Sequence, residues 1–341
     1  MIEEGREILR GRTRVAAIVL AVLALVLLAR WWNTLAPESA LLAASGDCHD
    51  CISLPDGRVV YARSLPDGGP DGPMALYVAR ADGELQRRIS FGDARDQAPA
   101  LLPDGRLVFR RHQGESPGKL FAMNPDGTGL QLFCEPAEGA SIEGGPCLVD
   151  DRVVFTERPL SGAGEHRVSV SVHQPLGARE GLAGSEQPAE CPAPRAPPRA
   201  TPLNLTSVVD ERKSTGTLLC LDVRTSRIAP VAGAQRGAIR SVRVRTADGG
   251  VLGEAPVEAD GSFFIEVPAD QPLRLELHGP DGVIATDPSD FWVRPNENRG
   301  CIGCHEDPEL APENRVVSAL ARGPMPIKAT VQITQSEARA Q

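Results

Sequence analysis

One phrase occurs twice in this chain and a third time in weakened form. Leu54-Pro55-Asp56-Gly57-Arg58-Val59-Val60-Tyr61 returns 48 residues later as Leu102-Pro103-Asp104-Gly105-Arg106-Leu107-Val108-Phe109. Val149-Asp150-Asp151-Arg152-Val153-Val154-Phe155 follows 47 residues after that. Asp-Gly sets a tight turn, and the β-branched and aromatic run behind it sets a strand. A second strand follows each of the first two turns. Ala75–Val78 ends at Asp82-Gly83, and Lys119–Ala122 ends at Asp126-Gly127. Val168–Val172 holds the equivalent place after the third. A period of roughly 40–50 residues with several strands per unit predicts propeller-like β blades. They are expected over residues 48–176.

The pattern resembles the blades of TolB-type propellers. Closed rings use about four to eight blades, and only three repeats are visible, so an incomplete fan is expected. Plentiful Gly (34) and Pro (30) with 4% aromatics suit short strands and turns. A net charge of −9 makes nucleic acid an unexpected partner. Residues 177–202 include Pro188, Pro192, Pro194, Pro197 and Pro198, which support neither helix nor ladder. They read as a Pro-rich linker.

Beyond it, alternation returns. Leu218–Val223 and Ile239–Arg245 read as strands, and Asp248-Gly249, Asp260-Gly261 and Asp281-Gly282 as turns. Leu273, Leu275 and Leu277 alternate with Arg274 and Glu276. A small β-sandwich over 203–295 is predicted.

The chemistry concentrates in Cys301-Ile302-Gly303-Cys304-His305. C-x-x-C-H is the attachment signature of a c-type haem. Two thiols at this spacing add to the two vinyl groups of one porphyrin, and the His offers the proximal ligand. The competing readings are a Cys301–Cys304 disulfide and a zinc half-site. No second ligand pair at zinc spacing follows. A haem segment is expected over 296–327, with a short helix within Glu313–Arg322. Trp292 is a candidate to pack on the porphyrin. Met325, flanked by Pro324 and Pro326, is a candidate sixth ligand. His278, His173, His112 and His49 compete with it for that role. The other cysteines are Cys48, Cys51, Cys134, Cys147, Cys191 and Cys220, which allow up to three disulfides. Cys48-His49-Asp50-Cys51 reads as a small disulfide loop. Cys220 lies in an apolar run and reads as a buried thiol.

Val15–Ala29 are 15 consecutive apolar residues behind Arg6, Arg10, Arg12 and Arg14 and ahead of Arg30, Trp31 and Trp32. The positive-inside rule then predicts a cytoplasmic N-terminus at 1–14 and a transmembrane anchor, or signal sequence, at 15–32. The expected location is the inner membrane, single-pass, with the bulk of the chain periplasmic and the lipid bilayer as a partner. Residues 328–341 read as a tail.

The stretch from Gly237 to Pro326 resembles the middle domain and following haem segment of the hydrazine synthase alpha subunit. The matching words are Leu252–Val257, Asp260–Asp270, Trp292–Pro295, Arg299–Asp307 and Leu310–Arg315, and Leu218–Val223 fits the leading strand. The resemblance implies a haem protein of nitrogen chemistry. Hydrazine synthase uses a second haem in the same subunit, whereas this sequence holds one C-x-x-C-H.

The fold class expected is therefore mainly β: an N-terminal transmembrane helix, partial propeller-like blades, a small β-sandwich and a short helical haem segment. The expected function is a membrane-anchored, extracytoplasmic monohaem c-type cytochrome. It would carry one covalent haem c and pass electrons beside other subunits of a membrane electron-transfer or photosynthetic complex. The alternatives are an accessory subunit of a photosynthetic or respiratory assembly, and a hydrazine-synthase-like haem enzyme. An electron carrier or accessory subunit is expected ahead of a stand-alone enzyme.

Overall fold

A computed structural model describes residues 49–66, 72–162, 164–182, 207–226, 228, 230–286, 289–303 and 316–327. The repeat unfolds into three successive four-stranded blades. The first holds β1 (His49–Ser53), β2 (Arg58–Ser64), β3 (Met74–Arg80) and β4 (Arg87–Arg88). The second holds β5 (Arg95–Leu101), β6 (Leu107–His112), β7 (Lys119–Met123) and β8 (Gln131–Cys134). The third holds β9 (Ala140–Val149), β10 (Arg152–Pro159), β11 (His166–Ser171) and β12 (Glu180–Gly181). A single parallel pairing, Met74 with Arg95, joins the first two blades along one sheet.

The repeated phrase builds the same turn twice. Gly57 and Gly105 take φ of 83° and 88°, a region glycine enters freely. Asp56 accepts hydrogen bonds from the Arg58 amide and Nε, and Asp104 does the same for Arg106. In the third copy Asp150 sits at φ 53° in a two-residue turn between β9 and β10. Alternation then sends one face of each blade into the next. Leu102, Val108, Leu120, Phe133, Phe155 and Val170 form an apolar core between the second and third blades. Full burial of each such side chain stabilises by about 1.5–3 kcal/mol.

The rest of the chain forms two further four-stranded sheets. One takes the order β19 (Asn298–Cys301), β13 (Thr215–Cys220), β16 (Phe263–Pro268), β20 (Met325–Pro326). The other takes β15 (Val251–Pro256), β14 (Ser241–Thr246), β17 (Leu273–Gly279), β18 (Gly282–Thr286). Leu218, Ile265 and Val267 of the first meet Val242, Val244 and Leu277 of the second in one core. Residues of the first two blades, among them Leu76, Phe109 and Met123, belong to that same core. The sandwich is thus packed onto the blades.

Trp292 pins this seam. It is 0% exposed, and its indole N–H donates to the Gly127 carbonyl at 3.0 Å. Phe91 meets it edge-on at 5.8 Å, and the Arg111 guanidinium lies 4.8 Å from its ring centre. Arg111 pairs with Asp96 at 3.4 Å, with both side chains 2% exposed, and donates to the Phe91 carbonyl. Arg294 donates to Asp270 at 2.8 Å and to the Arg88 carbonyl, while its own amide donates to Glu297 at 2.7 Å. Glu297 also accepts from the Gly129 amide at 2.8 Å.

Two expectations are corrected. Among the described residues no helix is long and apolar enough to cross a membrane, and α1 (Ser318–Arg322) spans five residues. The transmembrane helix expected at 15–32 has no support, and that segment lies outside the described residues. The single-pass, inner-membrane location fails with it. The physical reason was present in the run itself: 15 apolar residues fall short of the about 20 that a spanning helix needs. The mainly β character of the chain stands.

Candidate functional site

The haem signature begins at the end of an edge strand. β19 runs parallel to β13, with Thr217 opposite Asn298 and Cys220 opposite Cys301. Two more bonds carry the ladder past the first cysteine. The Leu221 amide donates to the Cys301 carbonyl at 2.9 Å, and the Asp222 amide to the Ile302 carbonyl at 3.0 Å. Cys301 is half-buried and packs on the sandwich core. Its position is therefore fixed by backbone, while its sulfur stands at the border of core and solvent.

Gly303 is demanded by what lies beneath it. A Cβ placed there would stand 1.7 Å from the Thr225 carbonyl oxygen. The turn it rests on is braced in the same way: a Cβ on Gly261 would meet Asp222 at 2.1 Å. Asp222 grips Arg224 through two charge-assisted bonds, at 2.7 Å each, and Arg224 donates on to the Asp260 carbonyl. The glycine in the signature thus fits the motif against β13's outgoing turn. Cys304 and His305 lie outside the described residues.

The chain beyond is docked to the same platform. Asp260 accepts from the Ser318 amide at 2.8 Å, and the Ser262 hydroxyl from the Ala319 amide at 3.1 Å. Burial alone would raise the Asp260 carboxyl. The hydrogen bonds from Ser262 and Ser318 outweigh it and hold the group well below the usual carboxylate range. After α1 the chain turns at Gly323 and joins the far edge of the sheet as β20, with Met325 opposite Ile265.

The predicted site residues are distributed unevenly. Cys301 and Met325 sit on opposite edges of one sheet, three strands apart. At about 4.8 Å per strand they are separated by roughly 14 Å across the sheet. Trp292 stands in the seam, covered by Phe91, Arg111 and Gly127. His278 is bound to Glu276 at 3.3 Å on the other sheet of the sandwich, and His112 to the Ile142 carbonyl at 3.0 Å within the blades. His173 is exposed. Cys51 and Cys147 are disulfide-bonded, whereas Cys134 is a buried thiol that burial pushes up to about 11. Among the described residues no cluster of three or more His, Cys, Asp or Glu is arranged to hold a metal ion.

Sequence reading missed two neighbours of the signature. One is Thr225, whose carbonyl makes Gly303 obligatory. The other is Cys220 as the direct partner of Cys301. Finding either requires the β13–β19 register, which joins residues about 80 positions apart. A cleft of about 420 Å3 opens at the seam, lined by Arg88, Phe91, Asp93, Asp248, Asp270 and Pro272, away from the signature.

Comparison with known proteins agrees with the resemblance drawn above. Residues 221–306 match the family described as the hydrazine synthase alpha subunit middle domain. A solved hydrazine synthase from Kuenenia stuttgartiensis shares the fold, with a TM-score of 0.63 at 16% identity, over 78% of this chain and 54% of that one. This chain therefore spans about half the length of the solved chain it matches. Two TolB structures show a more local likeness. A protein from Agrobacterium tumefaciens described as a TolB gives a TM-score of 0.31 at 16% identity, over 38% of this chain and 46% of that one. TolB from Acinetobacter baumannii gives 0.30 at 14%, over 39% and 32%. No curated protein matches the sequence.

Proposed function

We propose that this chain is a hydrazine-synthase-like haem protein with one c-type haem on Cys301 and Cys304, His305 being the proximal ligand, and that it works as one subunit of a larger assembly. The observation that carries this reading is the coincidence of two boundaries. The family match runs over residues 221–306 and so encloses the whole signature, and the signature starts at the end of β19, whose parallel partner β13 ends where that match begins.

The described residues fit such a group. Cys301 offers a half-buried sulfur on a fixed backbone, and Gly303 lets the chain lie against Thr225 where any side chain would collide. When bound, the haem supplies a redox-active iron. The protein's part is to hold the first thioether rigidly, through the β13 ladder, and to dock the returning chain through Asp260 and Ser262. The synthase-like reading takes the iron's sixth position as open to a small nitrogen compound, and the family match is what supports it. The assembly reading rests on the match to a domain of an alpha subunit.

An optical titration tests the proposal. The reduced protein should shift its spectrum on adding CO, and Met325→Leu should leave the spectrum unchanged. A CO-silent spectrum that changes in Met325→Leu would instead establish a six-coordinate electron carrier. The presence of a single C-x-x-C-H is what favours that second reading.

A further inference from the structure

Cys220 takes no part in the attachment proposed above, yet the sheet sets it directly opposite Cys301. Paired residues on adjacent strands project to the same face. Both side chains indeed belong to one core, Cys220 at 2% exposure and Cys301 packed at its border. The register is held on both sides of the pair. Leu219 faces Gly300 before it, and the Leu221 amide binds the Cys301 carbonyl after it. Strand spacing puts paired Cα atoms about 4.8 Å apart, within the roughly 4.4–6.8 Å that disulfides bridge. Both residues carry thiols in this structure.

We infer that Cys220 and Cys301 form a reversible disulfide, a redox gate on haem loading that rests on the attachment reading above. Closing the gate joins the two sulfurs and removes two protons and two electrons. The electrons pass to an oxidised disulfide, of a small molecule or of a thiol oxidoreductase, which becomes two thiols. Opening it takes a dithiol reductant. Its thiolate attacks Cys301, the more exposed sulfur, and Cys220 leaves as the thiolate and regains a proton. The mixed disulfide then resolves within the reductant and frees the Cys301 thiol. That thiol adds its S–H across a vinyl double bond, with no net electron transfer. The gate thus protects Cys301 from further oxidation and ties attachment to a reducing step. Cys220 suits the part because its burial shields it from direct attack.

The test uses the full chain made without haem and treated with oxidised glutathione. Alkylation and non-reducing peptide mapping should find the Cys220 peptide linked to the Cys301 peptide, and dithiothreitol should abolish the link. Under oxidising conditions Cys220→Ala should then load covalent haem roughly threefold or more above the unchanged chain, and dithiothreitol should erase the difference. Cys220→Val, closer in shape to a buried thiol, repeats the comparison should the alanine leave a damaging cavity. Mapping that finds Cys301 joined to Cys304, with Cys220 alkylated, overturns the gate. So does equal loading of all three proteins under oxidising conditions. If no protein loads haem, the attachment reading fails, while the peptide map still decides the disulfide.

Discussion

Two interfaces hold this molecule together, and they are built on different principles. Between the second and third blades the contact is mostly apolar: Leu102, Val108, Leu120, Phe133 and Phe155 meet in one core, with His112 and Glu143 at 3.7 Å beside it. At the seam between blades and sandwich, the Arg111 guanidinium packs on Trp292 and buried or half-buried charges pair. Arg111 with Asp96, Arg294 with Asp270, and Arg274 with Asp290 all pair there, and Glu297 accepts from the Arg294 backbone amide. A repeat packs on its copy through the strand alternation that defines it. The seam joins two unlike surfaces once only, so its fit depends on directional contacts that a slipped arrangement would leave unpaired.

The sharpest way to break the comparison is one truncation on each side. Trp292→Ala and Phe155→Ala should each cost about 3–5 kcal/mol in denaturant unfolding, since both remove fully buried aromatic side chains. Their consequences should differ. The first should also lower covalent haem incorporation, because Arg299, in the strand that carries Cys301, donates to the Leu130 carbonyl and to the backbone carbonyl of residue 292, whose place the buried indole fixes. The second should leave incorporation unchanged in the protein that remains folded. Equal effects on haem would show that the seam has no special hold on the site.

Gly303→Ala comes next. The collision with the Thr225 carbonyl must be relieved by moving backbone, at a cost of about 1–3 kcal/mol. Haem stain per mole of protein should fall well below that of the unchanged chain. Full incorporation would mean that the motif does not rest on that turn.

The pH dependence should separate the regions more gently. Burial raises the carboxyls of Glu297, Asp270 and Asp96 in the folded chain, against the opposing pull of Arg299, Arg294 and Arg111 respectively. A carboxyl raised by folding binds its proton more readily in the folded than in the unfolded chain. The stability from these groups is therefore fully present below their ordinary values, 4.5 for Glu297 and 3.8 for the two Asp. It is lost as pH rises through the folded values. Asp260, held low, behaves oppositely. Its contribution is present above 3.8 and lost as pH falls through its depressed folded value. As pH falls from neutral toward the ordinary glutamate value of 4.5, the unchanged chain should accordingly gain more stability than Glu297→Gln does, as read by paired denaturant curves. Parallel curves would remove Glu297 from the account.

The smallest effect is expected in the blades' surface. Lys119 and Glu135 pair at 2.9 Å with side chains 20% and 41% exposed. Lys119→Ala should cost under about 1 kcal/mol, and a larger loss in thermal unfolding would show that blade edges depend on ions as the seam does.

What was legible in the sequence follows the same division. Asp56-Gly57, Asp104-Gly105 and their following strands could be read because each turn is specified by its own residues. The signature at 301–305 could be read because its chemistry is local. The seam could not. The Trp292 bond to Gly127 joins residues 165 positions apart and the Arg294 bond to Arg88 joins residues 206 apart, and no periodicity reports such pairs. Trp292 drew a reading beside the porphyrin, as a large aromatic near the signature, and its contacts with Gly127 and Phe91 could not be read from sequence. The pairing of Cys220 with Cys301 was hidden for the same reason, since it needs a register and not a composition. The apolar run at 15–29 was read as an anchor on hydrophobicity and flanking charge, although its length did not support a span.

The central claim is that one porphyrin is joined through two sulfurs to the segment starting at Cys301. Intact mass spectrometry of the protein, purified from a host that matures c-type cytochromes, tests it most directly. The account predicts the mass of the polypeptide plus one haem, with fragmentation placing the added mass on the peptide holding Cys301 and Cys304. A mass equal to that of the bare polypeptide would contradict it.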